Sequence, residues 1–205
     1  MLHQILLDHP KREHHAGVQD PADGVWGQCY EIWPLKLMAS YDHRGDRGAR
    51  SFRFLDRVNS PEKLHTYLLP LGTSDLARTG VGHLLDLNES LSDLMRLILR
   101  GAPKDFVWDP GLKQTLMDLL MREFRNPETG WWGERYVRDG RAQFVDDLSI
   151  TFHTVSFRDG KAPGLSRIID TALALKEVDT PAGWLWQGGH WNQNNMDVAV
   201  LFNYG

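Results

Sequence analysis

Apolar residues recur at spacings of three and four along two long stretches of this chain. The first stretch covers residues 84–98 and is followed by Arg100 and Gly101, and the second covers residues 112–124. Side chains at this spacing share one face of a helix, and a cation followed by glycine is a common helix end. The pattern therefore predicts two amphipathic helices.

The stretch of residues 144–157 is apolar on almost every side. A helix with one face in water would carry a polar stripe, so this pattern favours an inner helix surrounded by other helices. The β-branched residues in the run make a buried strand the competing interpretation. Further helices are predicted over residues 165–175, after Pro163-Gly164, and over residues 196–202, whereas residues 135–141 suggest a short hairpin around Asp139-Gly140.

An eight-residue segment occurs twice in related form. Residues 126–133 read Asn-Pro-Glu-Thr-Gly-Trp-Trp-Gly, and residues 20–27 read Asp-Pro-Ala-Asp-Gly-Val-Trp-Gly. Proline ends the helix before it, and glycine supplies a positive φ. Each segment is therefore expected to link two helices, with Trp132 or Trp26 as an apolar plug between them; lining a ligand cavity is the alternative for these indoles. Residues 179–186 resemble a third, looser link.

The spacing of these links predicts the fold class. The two best copies are separated by about two helical hairpins, which is the period of stacked helical pairs. The sequence therefore predicts an all-α fold of repeated helical hairpins in a single domain over residues 1–205.

Composition narrows the range of partners. The chain has 205 residues and a formal charge of −4, without a cluster of Lys and Arg interleaved with aromatics, so no nucleic-acid partner is expected. Its apolar runs are too short to span a membrane. Cys29 is the only cysteine, which excludes an internal disulfide and a thiolate metal cluster, and we expect neither a metal nor a cofactor. The first residues lack a secretory pattern, which predicts a cytoplasmic location.

Three residues are candidates for catalysis. Asp147 and Asp197 lie near the start of predicted inner helices, as Asp86 does, where the helix dipole stabilises a carboxylate. Capping the helix is the structural alternative for all of these carboxylates. His153 lies within the apolar run and could serve as a general base, or could be a hydrogen-bonded core residue.

Aromatic and amide side chains near the predicted helix ends are candidates for substrate binding. Indole faces and amide groups suit sugar rings and hydroxyls, and the amides suit a helix cap equally well. The candidates are Trp132, Tyr136, Trp186, His190, Trp191, Asn194 and Asn195. They predict a small-molecule or carbohydrate ligand, and the sequence predicts no particular oligomeric state.

The Pro-x-x-Gly-x-Trp-Gly links and the segment Asn194-Asn195-Met196-Asp197-Val198 resemble the α/α-toroid proteins. The terpenoid cyclase and protein prenyltransferase superfamily is the most similar branch, with six-hairpin glycosidase and polysaccharide lyase toroids as the second. This resemblance implies a closed or partial ring of helical hairpins around a central cavity. Asp146 and Asp147 match only the last two positions of the Asp-x-Asp-Asp acid motif of cyclases.

Two classes of function remain open at this point. One is an enzyme that acts on an isoprenoid or on a polysaccharide, and the abundance of Asn, His and Trp favours the polysaccharide. The other is a non-catalytic helical scaffold that binds a partner on its concave face. Both interpretations depend on the two Trp links being equivalent joints between helices.

Overall fold

The structure, a computed structural model, describes residues 57–100, 108–176 and 193–205. These ranges contain α-helices and a small β-sheet, and two of the helices continue into a π-helical turn. In chain order the elements are α1 (Pro61–Gly72), β1 (Thr73–Ser74), α2 (Leu76–Thr79), α3 (Leu84–Met95) with the π-turn Arg96–Arg100, α4 (Leu112–Asp118) with the π-turn Leu119–Glu123, β2 (Trp132–Arg138), β3 (Arg141–Asp147), α5 (Leu148–Ser156), α6 (Leu165–Leu175) and α7 (Gln193–Tyr204).

The sheet has the strand order β1-β2-β3. β1 pairs parallel to β2, with Thr73 opposite Arg135, and β3 pairs antiparallel to β2. Asp139 and Gly140 connect β2 to β3 with φ angles of 52° and 72°. Two consecutive residues with positive φ are typical of the type I′ turn, whose twist matches that of the two strands. The sheet is therefore a β-hairpin with a two-residue turn, extended by one short parallel strand.

The all-α prediction is wrong, because the segment after the second Trp link is a strand. Residues 126–131 connect the π-turn after α4 to β2, and Trp132 is the first residue of that strand. The link therefore joins a helix to a strand, and not two helices as the hairpin repeat requires. The first copy, residues 20–27 with Trp26, and the looser link at residues 179–186 lie outside the described residues.

The prediction of one inner helix over residues 144–157 is also wrong in its first part. Residues 144–147 belong to β3, and α5 begins only at Leu148. The boundary is Asp147, whose extended backbone and side-chain bond to the Ile150 N–H make it the helix N-cap. The other helices, α3, α4, α6 and α7, lie over the stretches predicted from apolar spacing.

Two adjacent tryptophans lie at the centre of the core. Trp131 and Trp132 are both buried, with no more than 1% of either side chain exposed. The indole N–H of Trp131 donates to the main-chain oxygen of Ile168 in α6, at 3.1 Å, and that of Trp132 donates to Leu120 at 2.8 Å. A buried N–H without an acceptor would be costly, so these bonds fix where each indole can lie.

The buried carboxylate of Glu134 connects the sheet to α3. Its Oε1 accepts the main-chain N–H of His83, the residue that precedes α3, at 2.9 Å. The side chain of Glu134 is almost fully buried. The start of α3 is therefore capped by a residue of β2, far away in sequence, and not by a side chain of its own N-cap residue.

We expect Gly133→Ala to destabilise the protein by at least about 3 kcal/mol, as the strongest overpacking substitutions do. A Cβ at Gly133 would lie 1.9 Å from the main-chain oxygen of Val145, so β2 and β3 would have to separate. The measurement is urea-induced unfolding followed by tryptophan fluorescence. Gly140→Ala is the matched control: its Cβ would meet no atom, and only its positive φ should cost about 1–2 kcal/mol. Equal losses of unfolding free energy in the two variants would contradict the close approach of β2 and β3 at Gly133.

We expect Glu134→Leu to cost about 1–3 kcal/mol of unfolding free energy, because it leaves the His83 N–H without its acceptor. Glu134→Gln keeps an oxygen at this position and should lose clearly less. Chemical denaturation of both variants is the test, and a glutamine variant as unstable as the leucine variant would show that the charge matters more than the cap.

Candidate functional site

Asp147 lies at the junction of β3 and α5, where strand backbone turns into helix. Its Oδ1 accepts the Ile150 N–H at 2.7 Å and the side-chain amide of Asn88, from α3, at 3.3 Å. The amide oxygen of Asn88 in turn accepts the hydroxyl of Ser92 at 3.1 Å. Asp147 is therefore both the cap of α5 and the point at which α5 is hydrogen-bonded to α3.

Two opposing effects set the protonation of Asp147. Burial raises the pKa of its carboxyl to about 6, and the charge of Asp146 acts in the same direction. The main-chain N–H groups of Ile150 and Ser149 stabilise the carboxylate and lower the pKa. Asp147 is therefore mostly ionised at neutral pH, although it titrates closer to neutrality than an ordinary aspartate.

The neighbouring Asp146 forms its hydrogen bonds with a different part of the chain. The Asp146 carboxylate accepts the Asn126 amide at 3.1 Å and the Thr129 hydroxyl at 2.6 Å. Both donors belong to the segment that precedes β2. Asp146 thus ties that segment to β3, and its charge contributes to the raised pKa of Asp147 next to it.

Asp197 is the most unusual carboxyl group in the described part of the chain. It lies in the first half of α7, which packs against α5, and it is fully buried. Neither of its oxygens has a hydrogen-bond partner among the described residues, and the same holds for the amide oxygen of Asn195. Burial, together with the negative charge of Asp147, raises the pKa of Asp197 to about 7. A buried carboxyl without donors favours its neutral, protonated form.

Sequence reasoning missed two residues of α3: Asn88, which donates to Asp147, and Glu89. Burial raises the pKa of Glu89 to about 7, and the charges of Asp86 and Asp93 act in the same direction. A signal was available, because Asp86, Glu89 and Asp93 follow one another at spacings of three and four and therefore share a helix face. Asp86 lies in the first turn of α3, as its position in the sequence suggested.

His153 occupies an aromatic environment on α5. Its ring stacks on Phe157 with the centroids 5.3 Å apart and contacts Phe152 at 4.7 Å. Burial, together with the positive charge of Arg96, lowers the pKa of His153 to about 4. The imidazole is therefore neutral at neutral pH. Asp147 lies near enough to Asp197 for its charge to act on that carboxyl group, whereas the contacts of His153 are with two phenylalanines.

The predicted substrate-binding residues lie in different places. Trp132 is fully buried, and its indole N–H donates to the main-chain oxygen of Leu120. Tyr136 lies on β2 opposite Gln143 and is half-buried. Asn194 and Asn195 lie in the first turn of α7, whereas Trp186, His190 and Trp191 lie outside the described residues.

Comparisons with known proteins leave this geometry as the only guide to function. No protein-family model matches the chain, and neither curated proteins nor solved structures give a significant match to it. Among the described residues, no helix combines the length and the apolar character that crossing a membrane requires. The same residues contain no group of three or more His, Cys, Asp and Glu side chains arranged to hold a metal ion.

The raised pKa of Asp197 predicts that the protein loses stability as the pH rises from about 4 to about 7. The folded state binds a proton in this window that the unfolded state, with an ordinary aspartate, has released. A pKa shift of this size corresponds to a loss of up to about 4 kcal/mol in the free energy of unfolding. Asp197→Asn should therefore be more stable than the wild type at pH 8 and similar to it at pH 4. The measurement is the free energy of unfolding across this range.

Asp170→Asn, on the exposed face of α6, is the control for this experiment. It should follow the wild-type dependence on pH. Parallel curves for the wild type and Asp197→Asn would show that Asp197 titrates as an ordinary carboxyl group.

Proposed function

We propose that this chain is an acid-base enzyme that acts on a carbohydrate, with Asp197 as the general acid and Asp147 as its ionised partner. One observation carries the proposal: a fully buried aspartate, without a hydrogen-bond donor in the described part of the chain, lies close enough to a second aspartate to be shifted by its charge. A carboxyl group in such a place destabilises the fold when ionised, so a purely structural role gives little reason for it.

The two environments assign different roles to the two carboxyl groups. Asp147 has a main-chain N–H and an amide as donors, which favour its charged form. Asp197 has the higher pKa and no donor among the described residues, so the proton that the pair holds near neutral pH resides on Asp197. General acid-base cleavage of a glycoside uses one protonated and one ionised carboxyl group that flank the bond to be broken.

In such a reaction Asp197 donates its proton to the glycosidic oxygen as the bond to that oxygen breaks. Asp147 removes a proton from the attacking water, or stabilises the positive charge that develops on the sugar ring. The sugar oxygen leaves as a hydroxyl group, and water supplies the new hydroxyl on the other fragment. The proton removed by Asp147 returns to Asp197 through solvent.

The hydrogen-bonding character of the region supports a neutral glycan as the substrate. The groups without a partner among the described residues are the carboxyl oxygens of Asp197 and the amide oxygen of Asn195. With Asp197 protonated, they comprise one O–H donor and acceptor oxygens, and sugar hydroxyls can both accept and donate without carrying charge. The negative charge of Asp147 disfavours anionic substrates. The Trp and Asn residues around the start of α7 in the sequence are consistent with sugar binding.

We expect the purified full-length chain to release reducing ends from at least one neutral oligosaccharide in a panel of β-linked and α-linked glucans, xylans and mannans. Asp197→Asn should lower kcat by about 10²–10⁴, the usual contribution of a general acid. Activity should fall above about pH 7, where Asp197 loses its proton, and below about pH 6, where Asp147 gains one. The measurements are reducing-sugar assays and their pH profiles.

Asp170→Asn is again the matched control and should leave kcat and the pH profile unchanged. Turnover of no oligosaccharide by the wild type, or an Asp197→Asn variant with full activity, would contradict the proposal. Binding of an oligosaccharide without cleavage would favour a non-catalytic carbohydrate-binding protein.

A further inference from the structure

Three arginines gather on the side of the molecule where the segment before β2 meets the start of α6. Arg125 donates to the main-chain oxygens of Pro163, at 2.6 Å, and Gly130, at 3.3 Å. Arg167 donates to Pro127 at 3.0 Å, and Arg158 reaches the sulfur of Met121 at 3.6 Å. We call these three residues the arginine cluster.

The arginine cluster has no counter-ion of its own in the described part of the chain. Its members form no ion pair there, in contrast to Arg78, Arg100 and Arg135, each of which contacts a carboxylate. Burial lowers the pKa of Arg125, and the positive charges of Arg167 and Arg158 act in the same direction. Each guanidinium has five N–H donors, and most of them are not used by the contacts above.

The first turn of α6 adds positive potential at the same place. Gly164 precedes this helix and provides no side-chain cap, and the first turn contains no acidic residue. Arg167 is the third residue of α6, and the guanidinium of Arg125 lies near Gly164. Cations at the start of a helix oppose its dipole, whereas anions are stabilised there. The fold thus places positive charge where it is least favourable in the absence of an anion.

We propose that the arginine cluster, together with the start of α6, binds an oxyanion of the phosphate or sulfate type. Guanidinium groups recognise such anions by paired N–H donors. A bound anion would neutralise the mutual repulsion of the three side chains and would satisfy the helix dipole. The proposed site uses none of the residues assigned to the carbohydrate activity, so this inference does not depend on that activity.

The test is isothermal titration of the full-length chain with inorganic phosphate and, separately, with glucose 6-phosphate, at constant ionic strength. The double variant Arg158→Gln/Arg167→Gln should bind each ligand at least about tenfold more weakly, since charge-assisted hydrogen bonds are lost. Arg138→Gln/Arg141→Gln, at the exposed end of the hairpin, removes the same net charge and should bind within about twofold of the wild type.

The two ligands identify the source of the anion. Similar affinities indicate a site for the free ion, and tighter binding of glucose 6-phosphate indicates a group carried by a sugar. Arg167→Gln alone, at an exposed position, gives a second measurement if the double variant does not fold. Failure of the wild type to bind either ligand would overturn the proposal, as would equal losses in the cluster variant and the hairpin variant.

Discussion

The hydrogen bonds of two neighbouring indoles determine how the described part of this chain packs. Successive residues of an extended chain point to opposite sides, so Trp131 and Trp132 reach different elements. One donates to Ile168 in α6 and the other to Leu120, in the π-turn after α4. Because each donor is buried, neither helix can shift without leaving an N–H unsatisfied. The hairpin that follows is held in place, and with it Asp146 and Asp147 at the end of β3.

Local patterns predicted the helices well and the strands poorly. The spacing of apolar residues identified α3, α4, α6 and α7, since these helices bury one face. β2 was missed because its buried part is short: Trp132, Gly133 and Glu134 are buried, whereas its last two residues, Val137 and Arg138, are exposed. Asp139-Gly140 was expected at the tip of a short hairpin, but seven-residue strands on both sides were not. The predicted helix over residues 144–157 combined Phe144 and Val145, which belong to β3, with the apolar helix α5, and the cap at Asp147 marks the boundary between them.

The sequence predicted which residues belong to the candidate site, but it did not predict how they are arranged in space. Helix position alone singled out Asp147 and Asp197, because a carboxylate near a helix start has a recognisable pattern. Their proximity depends on the packing of α5 against α7, which no local spacing encodes. The same limit applies to His153, whose aromatic neighbours lie on its own helix while the charge that acts on it comes from Arg96 after α3. What distinguishes Asp197 from Asp147 is that no described residue donates a hydrogen bond to its carboxyl oxygens.

The topology of the sheet has a consequence for the order in which the chain folds. β2 and β3 are joined by two residues, so their pairing closes a minimal loop and loses little chain entropy. β1 meets β2 only after helices α2, α3 and α4 intervene, and this parallel contact involves two residue pairs. The hairpin is therefore suited to act as an early nucleus, and β1 joins once the helices between have collapsed onto it. A chain emerging from the ribosome would remain without its complete sheet until residue 147 has been synthesised.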